Sequence, residues 1–196
     1  MNTTIKKSLQ NSFSYQEYRN LIAKLANDGA TTGEIQTETN IGFTKLNDAR
    51  MHRLDKTIQI NEEVQKVLEN TTKSYIWLVI AESWCGDAAQ ILPIINKMAQ
   101  ITSKIELRIV LRDQNDDLML HFLTNGTKSI PKLLLLDAKT NEVLNNFGPR
   151  PIGAKEVIEN YKNKHGIVDE TAKIELQKWY LTDKGISTQK EILALM

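Results

Sequence analysis

The sequence has one cysteine, four prolines and nine glycines among its 196 residues, and its charges all but cancel. A single thiol cannot close an internal disulfide, so no disulfide framework holds the chain together, and an unpaired thiol suits a reducing compartment. A cytoplasmic protein is expected. Lys plus Arg number 25 against 24 for Asp plus Glu, which leaves no field to draw the chain to nucleic acid or to an anionic membrane. The longest apolar run, Tyr75 to Ala81, falls far short of the roughly 20 residues that a spanning helix needs. Behind Lys6 and Lys7 there is no apolar stretch and no small-residue cleavage site, so an unprocessed start is expected. There is no internal repeat and no low-complexity tract. At this length one compact core with additions is the default.

What is present begins with helices. Ser14-Tyr15-Gln16-Glu17 has the form of a capping box, with Phe13 and Tyr18 placed as a hydrophobic staple. Tyr18, Leu21, Ile22 and Leu25 then repeat at helical spacing, and Gly29 is a natural stop, which predicts a helix over 15–28. A polar stretch from Thr31 to Asn40 reads as loop, and a second helix is expected over 43–55. Arg50 and Arg53 share the Leu46 side of that helix, where arginine stems commonly lie on apolar surface. A place beside the thiol is the alternative for them.

From Thr57 the pattern changes to alternating strands and helices, which marks an α/β sheet. Residues 57–60 suggest a short edge strand. Asn61 caps a helix with Glu62 and Glu63 in its first turn and Val64, Val67 and Leu68 facing inward. Tyr75 to Ala81 is a continuous apolar run, as in a central strand covered on both faces. A helix over 86–101 follows, interrupted by Pro93. Strands are expected over 105–111, 132–136 and 142–147, the last two as an antiparallel hairpin, with a short helix over 116–124 between them and the first. A helix ending near Gly166 closes this part, and two more segments, 170–183 and 188–196, extend it. Near the C-terminus, Ile186, Ile192, Leu193 and Leu195 are spaced to form a docking or dimer surface or else to cover the core, and nothing fixes the oligomeric state.

The chemistry centres on Cys85, in Trp84-Cys85-Gly86-Asp87-Ala88. A cysteine between the end of a buried strand and the first turn of a helix sits where unpaired N–H groups and the helix dipole favour a thiolate. The alternative is a small buried hydrophobe. Trp84-Cys85-Gly86 after an apolar strand, with Pro93 eight residues beyond the cysteine, resembles the active-site segment of the thioredoxin family, whose bacterial-type members have Trp-Cys-Gly-Pro-Cys. Ile130-Pro131, ahead of Lys132 to Leu136, is similar to that family's Ile-Pro dipeptide. The resemblance covers about 110 residues. It implies a thioredoxin-like fold with a mixed central sheet over 57–166, an N-terminal helical extension packed on the core over 1–56 and C-terminal helices over 167–196. It also implies a cis Pro131 facing Cys85, with Trp84, Gly86, Ile130 and Pro131 shaping the surface that meets an extended substrate segment.

Three departures from the family bear on activity. Ala88 stands where the family has its resolving cysteine. Release of a mixed disulfide needs a second thiolate, so that thiol must come from outside. Asp87 stands where the best-known members have proline, and a like charge about 7 Å away in water costs roughly 0.6 kcal/mol, against about 0.3–1 kcal/mol from a helix N-terminus. On those magnitudes the acidity of Cys85 is undecided, and the simpler role for Asp87 is to stabilise the helix start. Leu78 and Val79 supply no acid where the family commonly keeps a buried aspartate. Glu82 is the nearest carboxylate, read as a solvated residue at the strand end, with a role as base the alternative.

Two functions follow from the resemblance. The first is thiol–disulfide exchange through Cys85 alone, with a protein or low-molecular-weight thiol or disulfide as partner. The second is a thioredoxin-fold module that binds a protein or peptide without redox turnover. Neither requires a cofactor. His52, His121 and His165 fall in separate elements with no metal-ligand spacing, so no metal is expected. Asp113, Asp116 and Asp117 read as a solvated helix start, Trp77 as core, and Trp179-Tyr180 as core or docking residues.

Overall fold

The computed structural model describes residues 1–196. In chain order it contains α1 (Asn2–Gln10), α2 (Tyr15–Asp28), α3 (Glu38–Thr57), α4 (Glu62–Glu69), β1 (Tyr75–Ala81), α5 (Gly86–Ala99) and β2 (Ile105–Leu111). These are followed by α6 (Asp116–Met119), β3 (Lys132–Asp137), β4 (Val143–Phe147), α7 (Ile152–His165), α8 (Glu170–Asp183) and α9 (Ile186–Leu193). The sheet runs in the order β2-β1-β3-β4. β1 is parallel to β2, with Val79 opposite Ile109, and antiparallel to β3, with Leu78 opposite Leu134. β4 returns antiparallel to β3, with a register shift between Leu135 and Leu136.

The apolar strands account for the core. In β1 every side chain except Ile76 is buried, and in β3 all residues from Lys132 to Leu136 are. A strand covered on both faces has no polar alternation, and each such Leu, Ile or Val contributes roughly 1.5–3 kcal/mol on leaving water. α5 adds Ile91, Leu92, Ile94, Ile95 and Met98 to the same core. Pro93 lies inside α5 without ending it, removing one N–H from its ladder. α3 and α9 pack on α5.

At the N-terminus, Ser14 caps α2 in a complete capping box with Glu17, and Gly29 ends the helix in the left-handed conformation. Phe13 exchanges two backbone hydrogen bonds with Ile109 (2.7 and 2.8 Å), which covers part of the open edge of β2. α1, which the sequence pattern does not announce, buries Ile5 and ties Ser8 to Asn115.

Several expectations are corrected. Residues 57–60 form no strand: α3 runs on to Thr57, and Ile58 ends it. Val67 is exposed, because the eight-residue α4 offers the core only the stripe of Val64 and Leu68. The helix expected over 116–124 stops after Met119, and Thr124 pairs instead with Thr127 in a tight turn. Of the two courses open to the C-terminal apolar residues, they take that of covering the core, with Ile192 fully buried and Ile186, Leu193 and Leu195 partly covered.

Candidate functional site

β1 delivers its last residue, Ala81, into Glu82-Ser83-Trp84, and Cys85 is the N-cap of α5. The Ala88 N–H donates to the Cys85 Sγ at 3.4 Å, as a cap requires. The thiol in turn donates to the Ile130 carbonyl at 3.3 Å, and the following Ile130-Pro131 peptide is cis. The two matching segments, 45 residues apart, therefore meet at one sulfur. Gly148, with φ of +120°, lets the chain leaving β4 press against this loop. A Cβ there would stand 2.2 Å from the Pro131 carbonyl oxygen.

Burial decides the acidity that charge alone left open. Cys85 is only 8% exposed. Its thiol is pushed up to about 12, first by burial and then by the charge of Asp87, against the pull of the Ala88 and Asp87 amides. Desolvation, which the comparison of Asp87 with the helix dipole did not include, thus decides the direction.

Asp87 does more than start a helix. Its Oδ2 accepts from Arg150 Nε and Nη2 at 2.8 and 2.7 Å, and its Oδ1 accepts from the Tyr180 hydroxyl at 2.9 Å. Burial, then the Asp87 charge, raises the Tyr180 phenol well above its ordinary value, so it serves as a donor. Glu82 is corrected outright: it is 1% exposed, not solvated. It accepts from the Thr32 hydroxyl and, at 2.9 Å, from the Asp113 N–H, and burial raises its pKa. Leu78 and Val79, which supply no acid where the resemblance would place one, are fully buried hydrocarbons.

Beside Glu82, the fully enclosed Ser83 gathers a set of hydroxyls. Its Oγ lies 2.9 Å from Thr44 Oγ1 and accepts from the Thr32 N–H at 3.0 Å, while Thr31 and Thr44 bond to each other at 2.7 Å. Asn47 Nδ2 donates to the Ser83 carbonyl at 2.8 Å and Ser83 N–H to Thr32 Oγ1 at 2.9 Å. The loop before α3 and α3 itself are fixed in this way to the end of β1. Arg50, one turn beyond Asn47, is thereby brought to the mouth of α5, with its Nη1 3.5 Å from where a Cβ on Gly86 would stand. That brings the Arg50 guanidinium close to the residue that follows Cys85, while Arg53 is exposed.

On the other side of Cys85, α8 lies across the head of α5, held by the Tyr180–Asp87 bond and by Gln90 Nε2 donating to Gln177 Oε1 at 2.7 Å. Between α3 and α8 a cleft of about 720 Å³ opens, with Trp84, Cys85, Gly86 and Asp87 on its floor. Trp84 is half-buried and carries the Arg112 guanidinium 4.8 Å above its ring. Ala88 is buried, and the chain offers no second thiol, since Cys85 is the only cysteine.

His52, His121 and His165 are exposed and lie apart, the last stacked on Tyr161 at 4.3 Å. No group of three or more His, Cys, Asp or Glu side chains converges to hold a metal ion. Asp113 pairs with Arg112 and Asp116 with Lys128. Trp77 is core, and Trp179 packs against Gly153 while meeting Tyr180 edge-on. Sequence reasoning missed Arg150, Tyr180 and the Ser83 hydroxyl set. Arg150 stands between Pro149 and Pro151, a setting that says nothing of a carboxylate partner 63 residues away.

A mixed sheet carrying one cysteine at a helix head, opposed by a cis proline that opens the neighbouring strand, defines a thioredoxin-fold protein with a single-thiol site. The sequence model of the thioredoxin family matches residues 33–162, and the chain belongs to that family. No curated protein matches it. Among solved structures, it is similar to a protein of unknown function from Pseudomonas aeruginosa, at 20% identity, with 93% of this chain and 96% of that one covered and a TM-score of 0.57. An HIV epitope-scaffold is similar at 19% identity, with 93% and 97% covered and a TM-score of 0.56. At these identities the likeness speaks for the fold alone.

Proposed function

We propose that this protein carries out thiol–disulfide exchange through Cys85 alone, with an outside thiol completing the cycle. The observation that supports it most is the placement of Sγ, at the head of α5, 3.3 Å from the Ile130 carbonyl beside Pro131 and on the floor of an open cleft, with Ala88 where a resolving thiol would stand. In the first step the Cys85 thiolate attacks one sulfur of a disulfide, forming a mixed disulfide while the other sulfur leaves as a thiolate and takes up a proton. In the second, an external thiolate attacks the mixed disulfide, and Cys85 leaves and is reprotonated. The cycle exchanges sulfur partners with no net oxidant. A reducing compartment supplies such thiols, and a cytoplasmic location fits this chemistry.

One observation favours the alternative of a binding module without redox turnover, namely the protonated resting thiol. At about 12 rather than 9.0, Cys85 has about a thousandfold less thiolate at neutral pH, of which about 15- to 30-fold returns as nucleophilicity. Attack is then about 30- to 60-fold slower than by an ordinary thiol. The two readings separate in a steady-state assay of a model mixed disulfide with reduced glutathione in excess. Exchange predicts turnover that is abolished in Cys85→Ser, whereas equal rates with and without the protein would leave only the module.

A further inference from the structure

Resting on the exchange reading, we propose that the cleft between α3 and α8 binds the disulfide of a low-molecular-weight thiol carrying two or more anionic groups. The charge lining the cleft is unevenly paired. Arg150 is neutralised by Asp87 and Lys173 by Glu170. Arg50, Arg53 and Lys178 also line the cleft, and none of them has a carboxylate within ion-pair distance. Arg50 is the telling one. It is half-buried, its guanidinium bonds only to Asn47 Oδ1 at 2.6 Å, and burial and the neighbouring Arg53 disfavour its charge more than the nearby Asp87 favours it. A partly desolvated cation next to a like charge is unfavourable until an anion joins it. A guanidinium also offers the planar fork that carboxylates and phosphates fit. These three cations line the cleft whose floor is the head of α5, where the helix dipole adds to the attraction for an anion.

The shape limits the size of the ligand. About 720 Å³ lies within the range of small-molecule sites. α8 walls one side, tied down by Gln177 and Tyr180, and Cys85 is only 8% exposed. Leu46, Ile174 and Leu181, exposed at 51, 49 and 63%, give the cleft apolar flanks for the organic part of the ligand. Binding also supplies what the resting thiol lacks. A disulfide held against Sγ reacts at an effective concentration far above its bulk one, and this offsets the low thiolate fraction. The step is the exchange already written, with the anionic disulfide as the partner attacked and its second half leaving as the free thiol.

The test uses three symmetrical disulfides that share one S–S bond and differ in charge: glutathione disulfide (anionic), 2-hydroxyethyl disulfide (neutral) and cystamine (cationic). Rates of mixed-disulfide formation at Cys85 are read by intact mass. The expected order at low salt is anionic over neutral over cationic, with the first about tenfold or more ahead of the second. That lead shrinks as salt screens the cleft, and it falls severalfold in the double variant Arg50→Gln, Lys178→Gln, which leaves Arg53 in place. Equal rates, or a faster neutral or cationic disulfide, would overturn the anionic site and leave exchange standing. If no disulfide reacts, exchange fails, and titration calorimetry of glutathione disulfide into Cys85→Ser still decides the cleft. Salt-sensitive binding there that weakens in the added double variant supports the site, and no binding overturns it.

Discussion

On one side of Cys85, the loop before α3 and α3 itself join the end of β1 through neutral groups, the buried hydroxyls of Thr31, Thr32, Thr44 and Ser83 with the Asn47 amide. On the other side, Asp87 at the head of α5 takes an ion pair from Arg150, in the loop before α7, and a hydrogen bond from Tyr180 of α8, while α8 adds one amide pair between Gln90 and Gln177. Buried neutral hydrogen bonds are insensitive to salt and costly to leave half-made, whereas a partly exposed ion pair is screened and cheaper to break. The α3 wall is therefore fastened by a buried hydroxyl set, whereas the α8 wall rests on two hydrogen bonds, one of them to the carboxylate that Arg150 also holds, and is the one expected to respond to loss of Asp87. The α3 wall carries Arg50, and the α8 wall carries Lys178.

Substitutions can break this contrast, and the largest effect belongs to Ser83→Ala. It strands the Thr32 N–H and leaves three threonine hydroxyls, those of Thr31, Thr32 and Thr44, with one partner fewer in a fully buried setting. A loss of about 2–4 kcal/mol is expected from denaturant midpoints. A loss below about 1 kcal/mol would mean that the hydroxyl set does not fasten α3. Asp87→Asn comes next. The Arg150–Asp87 side chains are 28 and 11% exposed, so screening reduces the cost to about 1–2 kcal/mol. The same change removes the anion that raises the Cys85 thiol, so alkylation of Cys85 by iodoacetamide at neutral pH should become faster as stability falls. Slower alkylation would contradict the charge assignment.

The smallest effect is expected from Glu82→Gln. Burial raises the Glu82 pKa in the folded protein. Its contribution to stability is therefore full at low pH and declines as pH rises through the folded value. Glutamine can accept from the Asp113 N–H without that decline. The variant should lie within about 1 kcal/mol of the parent, with its relative stability improving from acid to neutral pH. A relative stability that worsens with rising pH would show that the carboxylate is favoured as an anion here.

Much of the scaffold was legible because it is local or periodic. The capping box at Ser14 and Glu17, the glycine stops at Gly29 and Gly166, and the apolar runs of β1 and β3 each report on their own neighbourhood. Thr57 to Ile60 misled because β-branched residues at a helix end look like a strand start, and only the packing of α3 and α9 on α5 separates the two. The sequence pattern led to Cys85 and Pro131, which the fold brings together through Ile130. It could not show that Glu82 is buried or that Asp87 pairs with Arg150. Their partners lie 50 and 63 residues away, and no spacing rule links a carboxylate to a threonine or an arginine across such gaps. The acidity of Cys85 was hidden for the same reason, since burial from many elements outweighs the two local charges.

The central claim is that Cys85 enters and leaves a mixed disulfide without help from a second cysteine of the chain. The direct measurement is intact mass during incubation with glutathione disulfide across a range of pH, followed by reduced glutathione. One adduct at Cys85 is expected. Its rate should keep climbing beyond pH 9, where an ordinary thiol levels off, because the Cys85 thiol is held up to about 12, and reduced glutathione should return the mass to that of the free protein. Absence of an adduct at every pH, or an adduct that reduced glutathione leaves in place, would contradict it.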